Sequence, residues 1–299
     1  MRWRGRRQSD NIHDARGQGG VPRMGRGGGP FVIRRAGGGG IGFIIVIFIV
    51  MMLFGINPLE LLQGGGTLPG GTVPGQQTET APTQSVGETD EMSAFVATVL
   101  AETEDVWKAI FADLGLQYEE PRLVLFSDSY QSGCGSATAA TGPFYCPVDK
   151  SIYIDLSFYA ELRSRFQAPG DFAQAYVLAH EVGHHVQNLF GILPQYQRER
   201  ASVSEQEGNR MSIRVELQAD CFAGVWANHT ATRGLLEEGD AEEAIGAASA
   251  VGDDMIQKRT QGYVVPDSFN HGTAEQRVQW YRAGFASGDI DSCDTSGAV

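Results

Sequence analysis

The stretch VLAHEVGHHVQ, Val177–Gln187, sets three histidines and one glutamate within six positions of an otherwise apolar run. Asp171 ahead of it and Gly191 behind it delimit a helix from Asp171 to about Leu189. On a helix, His180 and His184 are four apart and stack on one face, so both imidazoles can address one ion. Glu181, next to the first, can reach a water held by that ion, which makes H-E-x-x-H a zinc pattern with its own general base. His185 lies about 100° further round and is expected to face a polar neighbour. The longer pattern H-E-x-x-H-x-x-G-x-x-H is excluded, because Gln187 and Phe190 stand where its glycine and third histidine would be.

A catalytic zinc takes three protein ligands and keeps one position for water, so a third donor must come from elsewhere. RVELQADCFAGVWANH, Arg214–His229, reads as a helix and carries Glu216 and Asp220 four apart on one face. Its neighbours Leu217, Ala219, Phe222, Ala223, Val225 and Trp226 are apolar, and carboxylates in such a setting need a cation or donors. Glu216 is therefore expected as the third ligand. Asp220 is placed to accept the remaining ring N–H of a ligating histidine. In DSFNHGTAEQRVQWYRAGF, Asp267–Phe285, His271 and Gly272 precede an expected helix cap at Thr273. His271 can donate to a developing oxyanion, and Arg277 supports the site by pairing with a carboxylate or orienting the loop. His229 and His13 read as ordinary polar residues.

Around these segments, Glu91–Leu116 has apolar residues at Phe95, Val99, Val106, Ile110 and Phe111, a helix ending at Gly115. Arg122–Asp128 and Ser151–Phe158 are short and rich in β-branched and aromatic residues, two strands of a small sheet. Further helices are expected over about 209–229, 238–258 and 273–286. Strands followed by helices give an α+β class, mostly helical.

The net charge of -13 conceals an asymmetry. Residues 1–40 carry nine arginines against two aspartates, and the rest is strongly acidic. Residues 1–35 are Gly/Arg-rich without hydrophobic period, expected to be a disordered basic arm. Apart from Trp3 and Phe31 no aromatic residues are interleaved with its arginines as stacking platforms, so no specific nucleic-acid partner is expected. No charged residue occurs from Ala36 to Leu59, and a span needs ~20 apolar residues. Residues 37–59 are therefore expected to form one transmembrane helix; no small-residue cleavage site follows Ile56, as a signal peptide would require. A Gly/Pro/Thr linker (60–91), a globular domain (92–290) and a tail (291–299) follow. The arginine excess places the amino terminus in the cytoplasm and the domain outside it. Four cysteines suit an oxidising compartment, and Cys134 with Cys146 and Cys221 with Cys293 are the expected pairs, although spacing alone does not fix connectivity.

Taken together, the H-E-x-x-H helix, ELQADCFAGVWA, CGSATAATGPFYCPVDKSIYIDLSF and FNHGTAEQRVQWYRAGF resemble the family of putative neutral zinc metallopeptidases of bacterial membranes, over essentially the whole chain. The resemblance implies a zincin-like, membrane-anchored metallopeptidase of gluzincin style, with one zinc on His180, His184 and Glu216 and with Glu181 as base. It is also similar, in E-x-x-A-D and the late His and Arg, to larger membrane metallopeptidases that process prenylated or misfolded proteins. Those enclose the site in several spans, and one span is expected here. The expected activity is hydrolysis of peptide or protein substrates by a zinc-bound water that Glu181 activates. The alternative is a non-catalytic, zinc-stabilised domain that binds a partner at the cell envelope.

Overall fold

The structure, a computed structural model, describes residues 1–16 and 86–299. The expected span at 37–59 and most of the expected linker lie outside the described residues. Among the described residues, no helix is long and apolar enough to cross a membrane.

The fold is mostly helical with a small sheet. Strands β1 (Ile12–Asp14), β2 (Arg122–Phe126), β5 (Phe144–Cys146) and β6 (Ser151–Asp155) lie in the order β1-β2-β6-β5, with β1, β2 and β6 parallel and β5 antiparallel to β6. A separate hairpin joins β3 (Ser129–Ser132) to β4 (Gly135–Thr138). Alternation along the strands divides their side chains between two faces. Leu123, Leu125, Ile152 and Ile154 enter the main core, whereas Val124, Phe126 and Tyr153 pack with Ala137 of the hairpin. The Cys134–Cys146 disulfide ties the hairpin turn to β5.

Helices cover the main-core face: α1 (Val86–Asp113), α2 (Ser157–Ser164), α3 (Asp171–Leu189), α4 (Ile192–Arg200), α5 (Glu205–Thr232), α6 (Asp240–Ala250), α7 (Asp253–Gln261) and α8 (Ala274–Ser287). The apolar run ahead of the histidines buries α3 almost completely, and Phe172 stacks on Trp226 of α5 with ring centroids 5.6 Å apart. Helix α8 begins with a capping box between Thr273 and Gln276. It crosses α5 so closely that a β-carbon on Gly284 would lie 1.9 Å from the Cys221 carbonyl oxygen. The Cys221–Cys293 disulfide fixes α5 to the turn Ile290–Cys293 beyond α8.

Several expectations need correction. Residues 1–16, expected within a disordered arm, are ordered against the domain: β1 extends the sheet, and Met1 and Trp3 are buried. Charge and glycine content hid the fact that these arginines meet buried carboxylates of α1, which are described below. Helix α1 begins at Val86, inside the expected linker. The strand expected to reach Phe158 ends at Asp155, whose carboxylate accepts the amides of Asp128 and Ser157 and turns the chain into α2. Asp171 sits inside the first turn of α3, with Gly170 at the cap position. The helix expected over 238–258 is broken at Val251–Gly252 into α6 and α7, because Asp253 turns away to receive the loop before α8. The expected tail packs on α5, with Thr295 donating to the Arg214 carbonyl.

Candidate metal centre

His180 and His184 project from α3 toward Glu216 of α5. His180 Nε2 lies 3.2 Å from Glu216 Oε2, and His184 Nε2 lies 3.5 Å from Glu216 Oε1. One donor atom from each of the three falls within 4.8 Å of the others. Two imidazoles and one carboxylate form a donor set suited to zinc. The helices meet this closely because position 183 is glycine: a β-carbon there would lie 2.9 Å from the Ala219 carbonyl oxygen and 3.1 Å from Ala219 Cα.

Each histidine is oriented by the partner of its other nitrogen. His180 Nδ1 lies 2.8 Å from Asp220 Oδ1, and His184 Nδ1 lies 2.9 Å from Gln187 Oε1. Both partners are acceptors, so the Nδ1–H tautomer is favoured and each Nε2 keeps its lone pair for the ion. Gln187 is held in turn, its amide donating to the Val215 carbonyl at 2.7 Å and to Gln218 at 3.0 Å.

Behind His180, Asp220 is fully buried and receives a two-point contact from Arg277, Nε to Oδ2 at 2.8 Å and an Nη to Oδ1 at 2.9 Å. The Tyr176 hydroxyl donates to the same carboxylate at 2.5 Å. Burial works against each ion, but the mutual attraction of Arg277, His180 and Asp220 keeps the Asp220 carboxyl below its ordinary range. Burial also opposes a charged His180, yet Asp220 and Glu216 outweigh it and raise its pKa to about 10. Burial opposes the Glu216 carboxylate too, and His184 and His180 more than compensate, lowering its pKa. Glu181 behaves oppositely. It is buried, and desolvation lifts its carboxyl above the usual range.

His271 lines the same cleft as these residues. Its Nδ1 lies 3.0 Å from Asp253 Oδ1, while Asp253 Oδ2 accepts the backbone amides of Asn270, His271 and Gly272. Partial desolvation disfavours the imidazolium, but the Asp253 carboxylate raises its pKa. His185 faces away from the centre, with Nδ1 at 3.0 Å from the Tyr145 hydroxyl and Nε2 at 2.6 Å from the Glu119 carbonyl. His229 bonds the Gly288 carbonyl, and His13 stands in β1, both remote in the fold from the centre.

The structure thus brings His180, Glu181, His184, Glu216, His271 and Arg277 to one cleft, with Asp220 buried behind His180. Tyr176, Gln187 and Asp253 were missed as participants. Gln187 had a legible signal, because it lies three positions after His184 on the same helix. Tyr176 had a fainter one, four before His180, whereas Asp253 follows a break between two helices that spacing does not reveal. A second acidic group, Asp171, Asp240 and Glu243, does not compete for a metal role. Its charges already face the Met1 ammonium at 2.9 and 3.1 Å and the Phe172 amide.

Comparison with known proteins also points to zinc. A family model described as putative neutral zinc metallopeptidase matches residues 1–296. The Escherichia coli (strain K12) protein YpfJ is 46% identical over 297 residues, 99% of either chain. The Mycobacterium tuberculosis (strain H37Rv) protein Rv2575 is 43% identical over 205 residues, 65% of this chain and 67% of its own. No solved structure matches the chain.

Proposed function

The chain belongs to the putative neutral zinc metallopeptidase family, and from that membership and the geometry of the cleft we propose that it hydrolyses peptide bonds with a single zinc ion. The observation that carries the proposal is the convergence of His180, His184 and Glu216, each imidazole backed by an acceptor on its far nitrogen. His180, His184 and Glu216 would hold the zinc, and the same arrangement supports reading the domain as zincin-like.

When bound, the zinc supplies Lewis acidity that activates a water and polarises the scissile carbonyl. Glu181 receives the proton of the attacking water on a carboxylate oxygen; its raised pKa brings that carboxylate nearer the pH at which a base can also release the proton. It then delivers that proton to the leaving amine. His271, held at Nδ1 by Asp253, offers its Nε2 side as a donor to the carbonyl oxygen as negative charge builds there. Arg277 and Tyr176 neutralise and orient Asp220, which keeps the His180 ring in place. The disulfides support placing the domain in an oxidising compartment, outside the cytoplasm.

The test is Glu181→Gln in the full chain, assayed for zinc content and for cleavage of a mixed peptide library. Zinc should remain at the wild-type level while cleavage falls by at least about a hundredfold. Unchanged cleavage with zinc retained would remove Glu181 from the chemistry. Zinc bound without cleavage even in the unsubstituted protein would favour the non-catalytic envelope domain.

A further inference from the structure

The candidate centre forms one side of a cleft of about 430 Å³. Its other side is hydrocarbon: Phe144 of β5, Phe158 of α2, Phe166, Val251 and Ile256 of α7 line it and are only partly buried by the fold. These side chains come from four separate parts of the chain. The fold has gathered apolar surface next to a charged centre and left it uncovered. A pocket of that size with this apolar side accepts a large apolar side chain; Arg165 and Arg259 line it as well, Arg259 over the Phe166 ring at 5.0 Å, so its discrimination lies in apolar size rather than in the exclusion of charge.

We propose, resting on the peptidase reading above, that the cleft selects peptides with a large aromatic or aliphatic residue beside the scissile bond, and that Phe158, Phe166 and Ile256 set this preference. A binding experiment on the uncleaving full-length Glu181→Gln protein tests it. The probes are labelled octapeptides of one sequence, with Phe or Ala walked through every position, read by fluorescence anisotropy. Phe should bind at least about tenfold more tightly than Ala at one position. Ile256→Asp or Phe166→Ala should erase that difference; the second variant covers misfolding of the first. Equal binding at every position, or a preference untouched by both substitutions, overturns the inference. Cleavage by the unsubstituted protein is scored separately. Preference without cleavage would keep this inference and remove the peptidase reading, and cleavage without preference would do the reverse.

A second inference comes independently from residues 1–16. Glu102 and Glu104 of α1 have side chains only 2% and 1% exposed. Carboxylates buried that deeply require donors. Arg6 meets Glu102 at 2.6 Å, and Arg7, Ser9 and Asn11 all reach Glu104. The backbone joins as well: Leu123 donates to the Asn11 carbonyl at 2.9 Å, and Ala15 donates to the Leu125 carbonyl at 2.8 Å. Trp3 packs edge-on against Phe95. Removing the arm would strip Glu104 of these donors and open the edge of β2. The geometry therefore points to residues 1–16 and 86–299 sharing one compartment. A cytoplasmic amino terminus and an extracytoplasmic domain cannot then both hold.

The test uses the four native cysteines being paired. Asp10→Cys and Ser202→Cys, both at exposed positions, are made separately in the full chain and treated with a membrane-impermeant maleimide on intact and on permeabilised cells. The two sites should label under the same condition, whichever compartment that reveals. Labelling of one on intact cells and of the other only after permeabilisation overturns the inference.

Discussion

At the scale of single residues, the centre is defined by what stands behind its histidines. The Asp220 carboxylate, fully buried, serves His180, Tyr176 and Arg277 at once, so the orientation of the ring is set from behind, by that carboxylate and the groups that hold it. His185, next in sequence to His184, has a different task and a different signature. Burial pushes its pKa down to about 4, although the Glu119 carbonyl partly opposes this. In the unfolded chain the same imidazole titrates near ~6.5. Between those values the unfolded state takes up a proton that the folded state refuses, so stability present above pH ~6.5 declines as the pH falls toward 4. Complete titration corresponds to roughly 3 kcal/mol. Urea unfolding of metal-free protein at pH 7 and pH 4 should therefore show a smaller acid loss for His185→Gln than for wild type. An identical loss would mean that His185 does not govern this window.

At the scale of elements, the centre depends on how closely α3 and α5 approach. Gly183 permits the contact, since its missing β-carbon would fall 2.9 Å from the Ala219 carbonyl oxygen, which is backbone and cannot swing aside. Ala in place of Gly in a helix gains up to ~1 kcal/mol in propensity, whereas overpacking a tight contact costs ~1–3 kcal/mol. The clash wins, so Gly183→Ala should lower the Tm and weaken zinc binding by about tenfold or more, measured by competition with a chromogenic chelator. An unchanged affinity would show that the helices separate without disturbing the donors. Much of this level could be read from the chain. Four-residue spacing placed His180 over His184 and Glu216 over Asp220, because helix geometry is local. The pairing of Asp253 with His271 could not be read, since it depends on a break at Val251–Gly252 inside a segment with continuous helical character. The arm misled for a related reason. Its Gly and Arg content matches solvated chain, and the buried partners Glu102 and Glu104 lie some ninety residues further on.

At the scale of the whole molecule, two disulfides, a four-stranded sheet and crossing helices hold one cleft in which charge and hydrocarbon meet. The sheet is completed by the first residues of the chain, and α5 carries a ligand candidate, its buried support and a cysteine that locks the far end of the fold. Beside the centre the lining includes Phe144, Phe158 and Phe166, together with Arg165 and Arg259. The account therefore stands or falls on the metal. Metal analysis of the purified full chain should give one zinc per molecule, retained in His185→Gln and His271→Ala and lost in His180→Ala, His184→Ala and Glu216→Ala. Zinc absent from the unsubstituted protein, or retained by all three of the latter variants, would contradict it.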